Sequence, residues 1–375
     1  MKYKNTGLLD NIRHNKRRLE KIKYIRRKLV LSLKDVHIST EMLGIIAQID
    51  EFKGSWNAYM RSPEKLSSLK KVATIESIGS SNRIEGNTLT DKQVETILSN
   101  VKKQSFTTRD EQEVAGYADL MENIFDNYEI IPFTENYIKQ LHKILLSYSS
   151  KDESHRGEYK KLSNSVAAFD ADGKEIGIIF ETATPFETPA MMRDLIQETR
   201  DLLEDKVLHP LILIGLFVVH FLAIHPFQDG NGRMSRALTT LLFLKSGYSY
   251  VPYSSMETII EENKNTYYKA LRNSQKTFRT DDVNYDSWLM FFLQTVLKQK
   301  IRLEKKISAN QTSGLSLTET KIMTLFDEKN QWTSSEISET TGIKIATVKK
   351  ALAELVKSGN LIKNGSTRGA WYEKS

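Results

Sequence analysis

An apolar segment followed at once by a glycine-rich polar loop is the feature that most constrains how this chain folds. Residues 211–224 are almost wholly apolar, which predicts a helix buried on all sides. The loop covers residues 225–236, and a second apolar segment follows at 237–244. We therefore expect two neighbouring core helices with the loop at their junction.

The loop has the composition of an anion-binding site. Gly230, Asn231 and Gly232 accept backbone conformations that direct successive N–H groups at one point. The helix that begins here adds the partial positive charge of its N-terminus. Arg233 and Arg236 are three residues apart and share a helix face, where their guanidinium groups suit phosphate oxygens. The pattern predicts a phosphate site.

Two other side chains add catalytic chemistry to the loop. Asp229 offers a hard oxygen ligand for Mg²⁺ beside a diphosphate, and His225 accepts a proton near neutral pH. Together these groups predict transfer of part of a nucleotide to a hydroxyl. The alternative is a tight turn with a capping aspartate and surface arginines. Histidine, aspartate and both arginines in one loop favour the catalytic interpretation.

Residues 225–236 resemble the motif of the Fic family, H-P-F-x-D/E-G-N-G-R-x-x-R, at every specified position. Members of this family transfer AMP from ATP to a hydroxyl group of a target protein. The resemblance implies that His225 deprotonates a Ser, Thr or Tyr hydroxyl. It also implies that Asp229 holds Mg²⁺, or Mn²⁺ in its place, on the α- and β-phosphates.

The same resemblance assigns roles to the rest of the loop. It implies that the backbone from Gly230 to Gly232 and the side chain of Asn231 bind phosphates. It further implies that Arg233 holds the β-phosphate and that Arg236 holds the γ-phosphate.

A second stretch, upstream of the loop, resembles the inhibitory motif S/T-x-x-x-E-G/N of class II Fic proteins. Ser81 and Glu85 occupy its defining positions and share a helix face. The resemblance implies that Glu85 pairs with Arg236 and so removes the γ-phosphate clamp. Fic proteins with this glutamate also remove AMP, with the glutamate positioning water. The sequence therefore leaves the direction of the reaction open.

One region of the chain predicts a β-hairpin. Residues 165–169 and 175–180 have strand character and flank an Asp-Gly pair, which is a hairpin signal. Fic proteins are similar in having a hairpin flap that docks the target segment by backbone pairing. The alternative is a surface hairpin without a role, and its position in the chain favours the flap.

Two shorter stretches also resemble the family. Asn263, Tyr267 and Tyr268 fit an N-x-x-x-Y-Y pattern near the nucleotide base. One tyrosine would stack on adenine, whereas core packing is the alternative for each. The family often has a G-E-F/Y-R stretch before the hairpin, and this chain has Lys160 in place of the arginine.

Charge and cysteine content bound the partners and the compartment. The net charge is +7, but residues 1–30 hold the basic surplus, so a generally basic nucleic-acid-binding body is not expected. We expect residues 1 to about 35 to form a solvated helix, with contact to an anionic surface or nucleic acid as the alternative. The chain has 0 cysteines and a charged start without a signal peptide, and its longest apolar segment is too short to span a bilayer. We therefore expect a cytoplasmic protein without a membrane partner.

The last part of the chain, residues 317–375, predicts a helix, a short helix, a third helix and a hairpin. This order resembles a winged helix-turn-helix, which often reads DNA with its third helix. The candidate DNA contacts are Lys344, Lys349, Lys350 and Arg368. Acidic residues interleave with them, and winged helices also serve in dimerisation or docking, so a DNA or protein partner stays open.

The predicted fold is mainly α, with a Fic helical core, a small β-hairpin flap and a C-terminal winged helix. Its predicted parts are an N-terminal region with the inhibitory helix (1–104), the Fic core (105–303), a linker (304–316) and the winged helix (317–375). The predicted function is an autoinhibited protein adenylyltransferase. A de-AMPylase and a DNA-binding regulator with a Fic sensor domain are the alternatives. The target and the oligomeric state stay open, with a homodimer as one alternative.

Overall fold

The structure is a computed structural model, and its described residues are mostly helical. They are residues 31, 33–59, 63–100, 106–164, 166–169, 175–312, 316–327, 329–365 and 369–375. The chain forms two compact units. The larger unit contains Met1–Asn57 and Ala73–Gln299, and the smaller unit contains Ala58–Val72 and Lys300–Ser375.

Eleven α-helices precede residue 313 in the described part of the chain. They are α1 (Thr40–Tyr59), α2 (Pro63–Ile84), α3 (Asp91–Asn100), α4 (Arg109–Asn127), α5 (Glu135–Leu145), α6 (Thr188–Glu204), α7 (Pro210–Ile224), α8 (Asn231–Lys245), α9 (Met256–Glu262), α10 (Lys264–Gln275) and α11 (Asp286–Thr312). The predicted basic helix at the N-terminus lies mostly outside the described residues. Within its predicted range, Leu33–Asp35 are described and form a short 3₁₀ helix.

Helix α7 is the centre of the larger unit. All of its residues from Leu211 to Ile224 are buried, because an all-apolar helix is stable only when other elements cover every side. Helices α6, α8 and α10 pack against it. The indole of Trp288 donates to the Gly215 carbonyl at 2.7 Å, and a Cβ on Gly215 would come within 2.9 Å of Leu289. The predicted buried helix is confirmed.

Two strands of the larger unit form the predicted hairpin. They are β1 (Val166–Phe169) and β2 (Glu175–Phe180). They pair antiparallel, with Val166 opposite Phe180 and Phe169 opposite Glu175. The predicted Asp-Gly turn lies outside the described residues.

The smaller unit contains three further helices and a small sheet. Its elements are α12 (Leu317–Leu325), β3 (Trp332–Thr333), α13 (Ser334–Thr341), α14 (Ile345–Lys357), β4 (Leu361–Asn364) and β5 (Trp371–Lys374), and the strand order is β3-β5-β4. Ile322, Ile337, Val348 and Leu352 are fully buried in its core. The predicted helices and hairpin are confirmed, whereas the two-residue strand β3 was not predicted, because so short a strand leaves no periodic pattern. The winged-helix assignment stays a prediction.

The predicted linker differs from the structure in its first part. Helix α11 continues to Thr312, so residues 304–312 are helical. Their Glu, Lys, Gln and Ala residues favour a helix, and the first helix-breaking residue is Gly314.

Within the described ranges, no helix combines the length and the apolar character that crossing a membrane requires.

Candidate active site

The glycine-rich loop connects α7 to α8 through two residues in the left-handed conformation. His225 ends α7 with φ 53°, and its N–H donates to the Phe221 carbonyl at 2.8 Å. Gly230 precedes α8 with φ 77°, and a Cβ there would come within 2.9 Å of Leu145. A left-handed histidine costs about 1–2 kcal/mol, so packing around the loop must hold it in place.

Asn231 stabilises the loop from inside. Its side-chain oxygen accepts from the Phe227 N–H at 2.9 Å, and its amide nitrogen donates to the Phe227 carbonyl at 2.7 Å. The residue is buried. Both ends of the amide are therefore used within the loop, and the predicted contact of this side chain with phosphate stays a prediction.

Arg233 carries donors that no described group accepts. The residue is 2% exposed, and its Nε and Nη1 atoms have no hydrogen-bond partner among the described residues. Its nearest carboxylates, on Glu113 and Asp229, lie 3.6 and 3.7 Å away. Buried donors without partners are rare because desolvation costs free energy. This arrangement fits an anionic ligand such as a phosphate group.

Arg236 is bound to the upstream segment. Its Nε donates to Ser81 Oγ at 2.9 Å, and its Nη2 donates to the Ser81 carbonyl at 2.8 Å and to Glu85 Oε1 at 2.9 Å. A Cβ on Gly232 would overlap the Glu85 carboxylate, so a side chain at that position would displace this carboxylate. The predicted ion pair between Glu85 and Arg236 is present, and its inhibitory role stays a proposal.

A second arginine anchors the segment that carries Glu85. Arg83 Nε and Nη2 donate to the two carboxylate oxygens of Glu261, at 2.7 and 3.1 Å. Its Nη1 donates to Asp91 at 2.9 Å and to the Leu89 carbonyl at 3.0 Å. The turn after α2 is thus tied to α9 and α3. The role of Arg83 was not predicted, because a bidentate pair between distant residues leaves no local pattern in the sequence.

The imidazole of His225 is set up to accept a proton. Its Nδ1 lies 3.3 Å from the Leu222 carbonyl, which places the proton on Nδ1 and leaves Nε2 as an acceptor. Burial, together with the positive charge of Lys160, lowers the pKa of His225 to about 4. The ring is therefore neutral at neutral pH.

A cavity of about 850 Å³ connects these groups, a size in the usual range for ligand sites. Its lining includes Glu85, His225, Asp229, Gly230, Asn231, Gly232, Arg233, Tyr267 and Tyr268. Arg236 is not among these residues, because the Glu85 carboxylate covers it. The loop residues predicted to act together therefore meet at one cavity, with Arg236 behind it.

Asp229 stands at the edge of the cavity with cations around it. Its carboxylate lies 3.5 Å from Arg109 Nη2 and accepts from the Gly230 N–H at 2.6 Å. The positive charge of Arg233 and the Gly230 bond hold the pKa of Asp229 below its usual value against the effect of burial. Among the described residues, no three His, Cys, Asp or Glu side chains cluster as a metal site. Mg²⁺ typically uses one or two carboxylates plus substrate phosphates, so Asp229 fits that role only together with a nucleotide.

Of the three residues predicted near the nucleotide base, two line the cavity and one does not. Tyr267 and Tyr268 line the cavity, Tyr267 being buried with its ring 5.8 Å from that of Trp288. Asn263 does not line it, and its amide donates to the Ile259 carbonyl at 2.7 Å. Asn263 therefore stabilises the junction of α9 and α10. The partly exposed Tyr268 is the better candidate to stack on a base.

His142 supports the glycine-rich loop, and no pattern in the sequence predicted this role. Its Nδ1 accepts from the Gly157 N–H at 2.9 Å, and its Nε2 lies 3.0 Å from the Asp229 carbonyl. The ring stacks on Phe227 at 3.8 Å. Burial lowers the pKa of His142 to about 4. A neutral ring with the proton on Nε2 satisfies both bonds.

We expect His142 to make the native state sensitive to acid. Because the folded pKa lies below the unfolded value of about 6.5, the unfolded chain binds the extra proton, and stability falls as pH drops from about 6.5 towards 4. A shift of this size corresponds to about 3 kcal/mol. Urea unfolding at pH 7 and pH 4.5 should show a clearly smaller acid loss in His142→Gln than in the unchanged protein. The exposed control His37→Gln should lose as much free energy of unfolding between pH 7 and pH 4.5 as the unchanged protein. An equally large loss in His142→Gln would contradict the role of His142.

The fold and the loop define a helical domain built around a glycine-rich loop at the start of α8. Residues 132–243 match the model of the Fic/DOC family. The chain therefore contains a Fic domain.

Named relatives of this chain also have Fic in their names. The protein adenylyltransferase Fic of Drosophila willistoni is 28% identical over 234 residues, which are 60% of this chain and 42% of that protein. Its Drosophila melanogaster counterpart is 27% identical over 232 residues, 60% of this chain and 42% of that protein. The chain thus spans less than half the length of these relatives.

Among solved structures, a Fic family protein from Desulfovibrio desulfuricans G20 aligns with a TM-score of 0.60 and 21% identity, covering 91% of this chain and 98% of that one. A Fic domain containing signalling protein from Bacteroides thetaiotaomicron aligns with a TM-score of 0.57 and 24% identity, covering 71% and 97%. At these identities the likeness establishes a shared fold.

Proposed function

We propose that this chain is a protein adenylyltransferase that transfers AMP from ATP to a Ser, Thr or Tyr hydroxyl of a target protein. One observation carries the proposal: the buried Arg233, whose Nε and Nη1 donors have no hydrogen-bond partner among the described residues, lines the same cavity as His225. A phosphate group and a hydroxyl group would thus be held beside one base. The named Drosophila relatives, which are protein adenylyltransferases, support the same reaction.

The proposed mechanism is in-line displacement at the α-phosphorus. His225 Nε2 accepts the hydroxyl proton while the hydroxyl oxygen forms its bond to that phosphorus, and the bond to the pyrophosphate oxygen breaks. The N–H groups at the start of α8 and the Arg233 guanidinium stabilise negative charge on the phosphates, which is usually the largest catalytic contribution. When bound at Asp229, Mg²⁺ would supply further charge neutralisation on the α- and β-phosphates.

The hairpin is the proposed docking element for the target. An extended segment that pairs with a hairpin strand is held by backbone hydrogen bonds, so its side chains stay free to select the partner. Strand β2 packs near α10, whose residues Tyr268 and Arg272 line the cavity. A docked segment would therefore lie close to His225.

Glu85 is the proposed brake on the reaction. Its carboxylate takes the Nη2 donor of Arg236 at 2.9 Å and lies against the backbone of Gly232. The resemblance implies that Arg236 would otherwise hold the γ-phosphate. ATP would then bind without its γ-phosphate clamp, and its α-phosphorus would not align with the hydroxyl.

The proposed function is tested with ATP labelled on either the α- or the γ-phosphate. Incubation of the full chain with Mg²⁺ and a cell lysate should place the α-label, and not the γ-label, on protein. Transfer of the γ-label would instead indicate a kinase, and absence of both from wild type and Glu85→Gly would contradict nucleotide transfer. Release of AMP from modified protein by wild type would support the de-AMPylase alternative, in which Glu85 positions water.

The smaller unit presents lysines that favour a nucleic-acid partner as a second function. Lys344, Lys349 and Lys350 are exposed at the N-terminal end of α14, the helix that would enter the major groove. Replacing all three by alanine should weaken duplex DNA binding and flatten its salt dependence by roughly one unit of slope per lost phosphate contact. Lys357→Ala, at the exposed far end of the same helix, is the matched control. Arg368 lies outside the described residues. Fluorescence anisotropy with labelled duplex measures the effect, and equal binding by all variants would contradict it.

A further inference from the structure

A buried ammonium group lies directly behind the glycine-rich loop. Lys160 is 3% exposed, and its Nζ donates to Asn164 Oδ1 at 2.7 Å, to Thr182 Oγ1 at 2.9 Å and to the Ile224 carbonyl at 2.9 Å. An ammonium has three donors, so three acceptors satisfy it fully. Because all three donors of this buried ammonium have acceptors, we interpret Lys160 as a structural link between the segments that carry those acceptors.

One end of this connection is the loop itself. Ile224 is the last residue of α7, and its carbonyl directly precedes His225. The backbone N–H of Lys160 donates to the Pro226 carbonyl at 2.9 Å, and the Asn164 amide donates to the Phe227 carbonyl at 2.7 Å. These bonds hold the backbone on both sides of His225, whose left-handed conformation needs such support.

The other end is the base of the hairpin. Thr182 follows β2 by two positions, and its hydroxyl donates to the Asn164 carbonyl at 2.6 Å while it accepts from Lys160. Lys160 Nζ therefore connects the hairpin base to the loop through its hydrogen bonds to Thr182 and to the Ile224 carbonyl. A displacement of the hairpin base would be transmitted to the loop through these two bonds.

We propose that Lys160 is a positioning residue that couples the β1–β2 hairpin to His225 and places a positive charge close to its imidazole. The inference rests on the proposed function, since it gives Lys160 a part in the same transfer reaction. A target segment docked on the hairpin would, through this ammonium, stabilise the loop geometry in which Nε2 of His225 meets the hydroxyl.

The charges around His225 determine the sign of the expected pH effect. The positive charge of Lys160 lowers the pKa of His225, whereas the negative charges of Glu85 and Asp229 raise it. Burial lowers the pKa of Lys160 itself to about 7, against the charge of Glu187. Removing the Lys160 charge should thus raise the pKa of His225. The acid limb of the activity profile should then move to higher pH.

Four variants separate charge, coupling and mere packing. Lys160→Met removes the charge and the three bonds, and Lys160→Arg keeps the charge. Thr182→Val keeps the charge of Lys160 and removes both bonds of the Thr182 hydroxyl, the one from Lys160 and the one to the Asn164 carbonyl. Lys161→Met makes the same charge change at an exposed neighbour and is the matched control. Circular dichroism and thermal unfolding establish that each variant is folded before it is compared.

The first measurement does not depend on catalysis. NMR titration of the histidine Cε1 protons, with His225 assigned by His225→Ala, should show its pKa raised by about one unit in Lys160→Met. Lys160→Arg, Thr182→Val and Lys161→Met should leave it unchanged. An unchanged pKa in a folded Lys160→Met protein would overturn the electrostatic part of the proposal.

The second measurement uses AMP transfer in the Glu85→Gly background. Lys160→Met and Thr182→Val should lower kcat by about tenfold or more while KM for ATP stays constant, and Lys160→Arg should recover part of the loss. Only Lys160→Met should move the acid limb to higher pH. Full activity in Thr182→Val would overturn the coupling to the hairpin. If the Glu85→Gly parent itself transfers no AMP, the proposed function fails, and the titration alone decides the effect of Lys160 on His225.

Discussion

Replacing Glu85 by glycine is expected to raise the rate of AMP transfer by about tenfold to a hundredfold. The reason is the 2.9 Å ion pair with Arg236, because a hydrogen bond to a charged group contributes about 1.5–3 kcal/mol and the γ-phosphate must compete with it. Glycine at this position also removes the carboxylate that lies against Gly232. Initial rates with α-labelled ATP, measured on autolabelling and on lysate proteins, give the ratio between variant and wild type.

Two further variants make the Glu85→Gly result specific. Glu129→Gly changes the same charge at another exposed turn and should leave the rate at the wild-type level. Adding Arg236→Ala to Glu85→Gly should remove most of the gain, because the freed guanidinium is what the γ-phosphate would bind. A Glu85→Gly protein no faster than wild type would contradict autoinhibition. If that variant also loses an AMP-removal activity that wild type has, Glu85 is a catalytic group of the reverse reaction.

Replacing His225 by alanine in the Glu85→Gly background is expected to lower kcat by about two to four orders of magnitude, the usual contribution of a general base. The loop backbone and Arg233 remain, so ATP binding measured by calorimetry should change little. The hydrogen bond from Nδ1 to the Leu222 carbonyl fixes the ring orientation, and no other described histidine lines the cavity.

The control for this change is His37→Ala, at an exposed histidine outside the cavity, which should keep full activity. A His225→Ala protein that retains most of the transfer rate would contradict its role as base. A protein that loses ATP binding together with the rate would show that His225 acts mainly through the shape of the loop.

The candidate site was largely predictable because its residues are close in sequence. His225, Asp229 and Arg233 lie within one loop, and glycines beside cations carry a local signature of anion binding. Even the partner of Arg236, 151 residues away, was predicted, although only through resemblance to a known motif. Nothing in the residues themselves would have paired Glu85 with Arg236.

Two predictions, the place of Asn263 near the nucleotide base and the linker from residue 304, differ from the structure. Asn263 matched a pattern, yet its amide bonds to the preceding helical turn and lies away from the cavity. The polar residues after Glu304 suggested a linker, yet they continue α11 to Thr312. Composition alone does not distinguish a polar helix from a polar connection, because both expose the same side chains to water.

By itself, the sequence determined the buried helix α7, the loop after it, the hairpin strands and the order of the last three helices, since these follow from local periodicity and backbone conformation. Only the tertiary structure shows that His142 and Lys160 contact that loop. The two residues lie far from the loop in the sequence and share no pattern with it. Their protonation, and that of His225, depends on how far each group is removed from water and which charges and carbonyls surround it. Desolvation and hydrogen bonding are properties of the packed chain, and no stretch of sequence contains them.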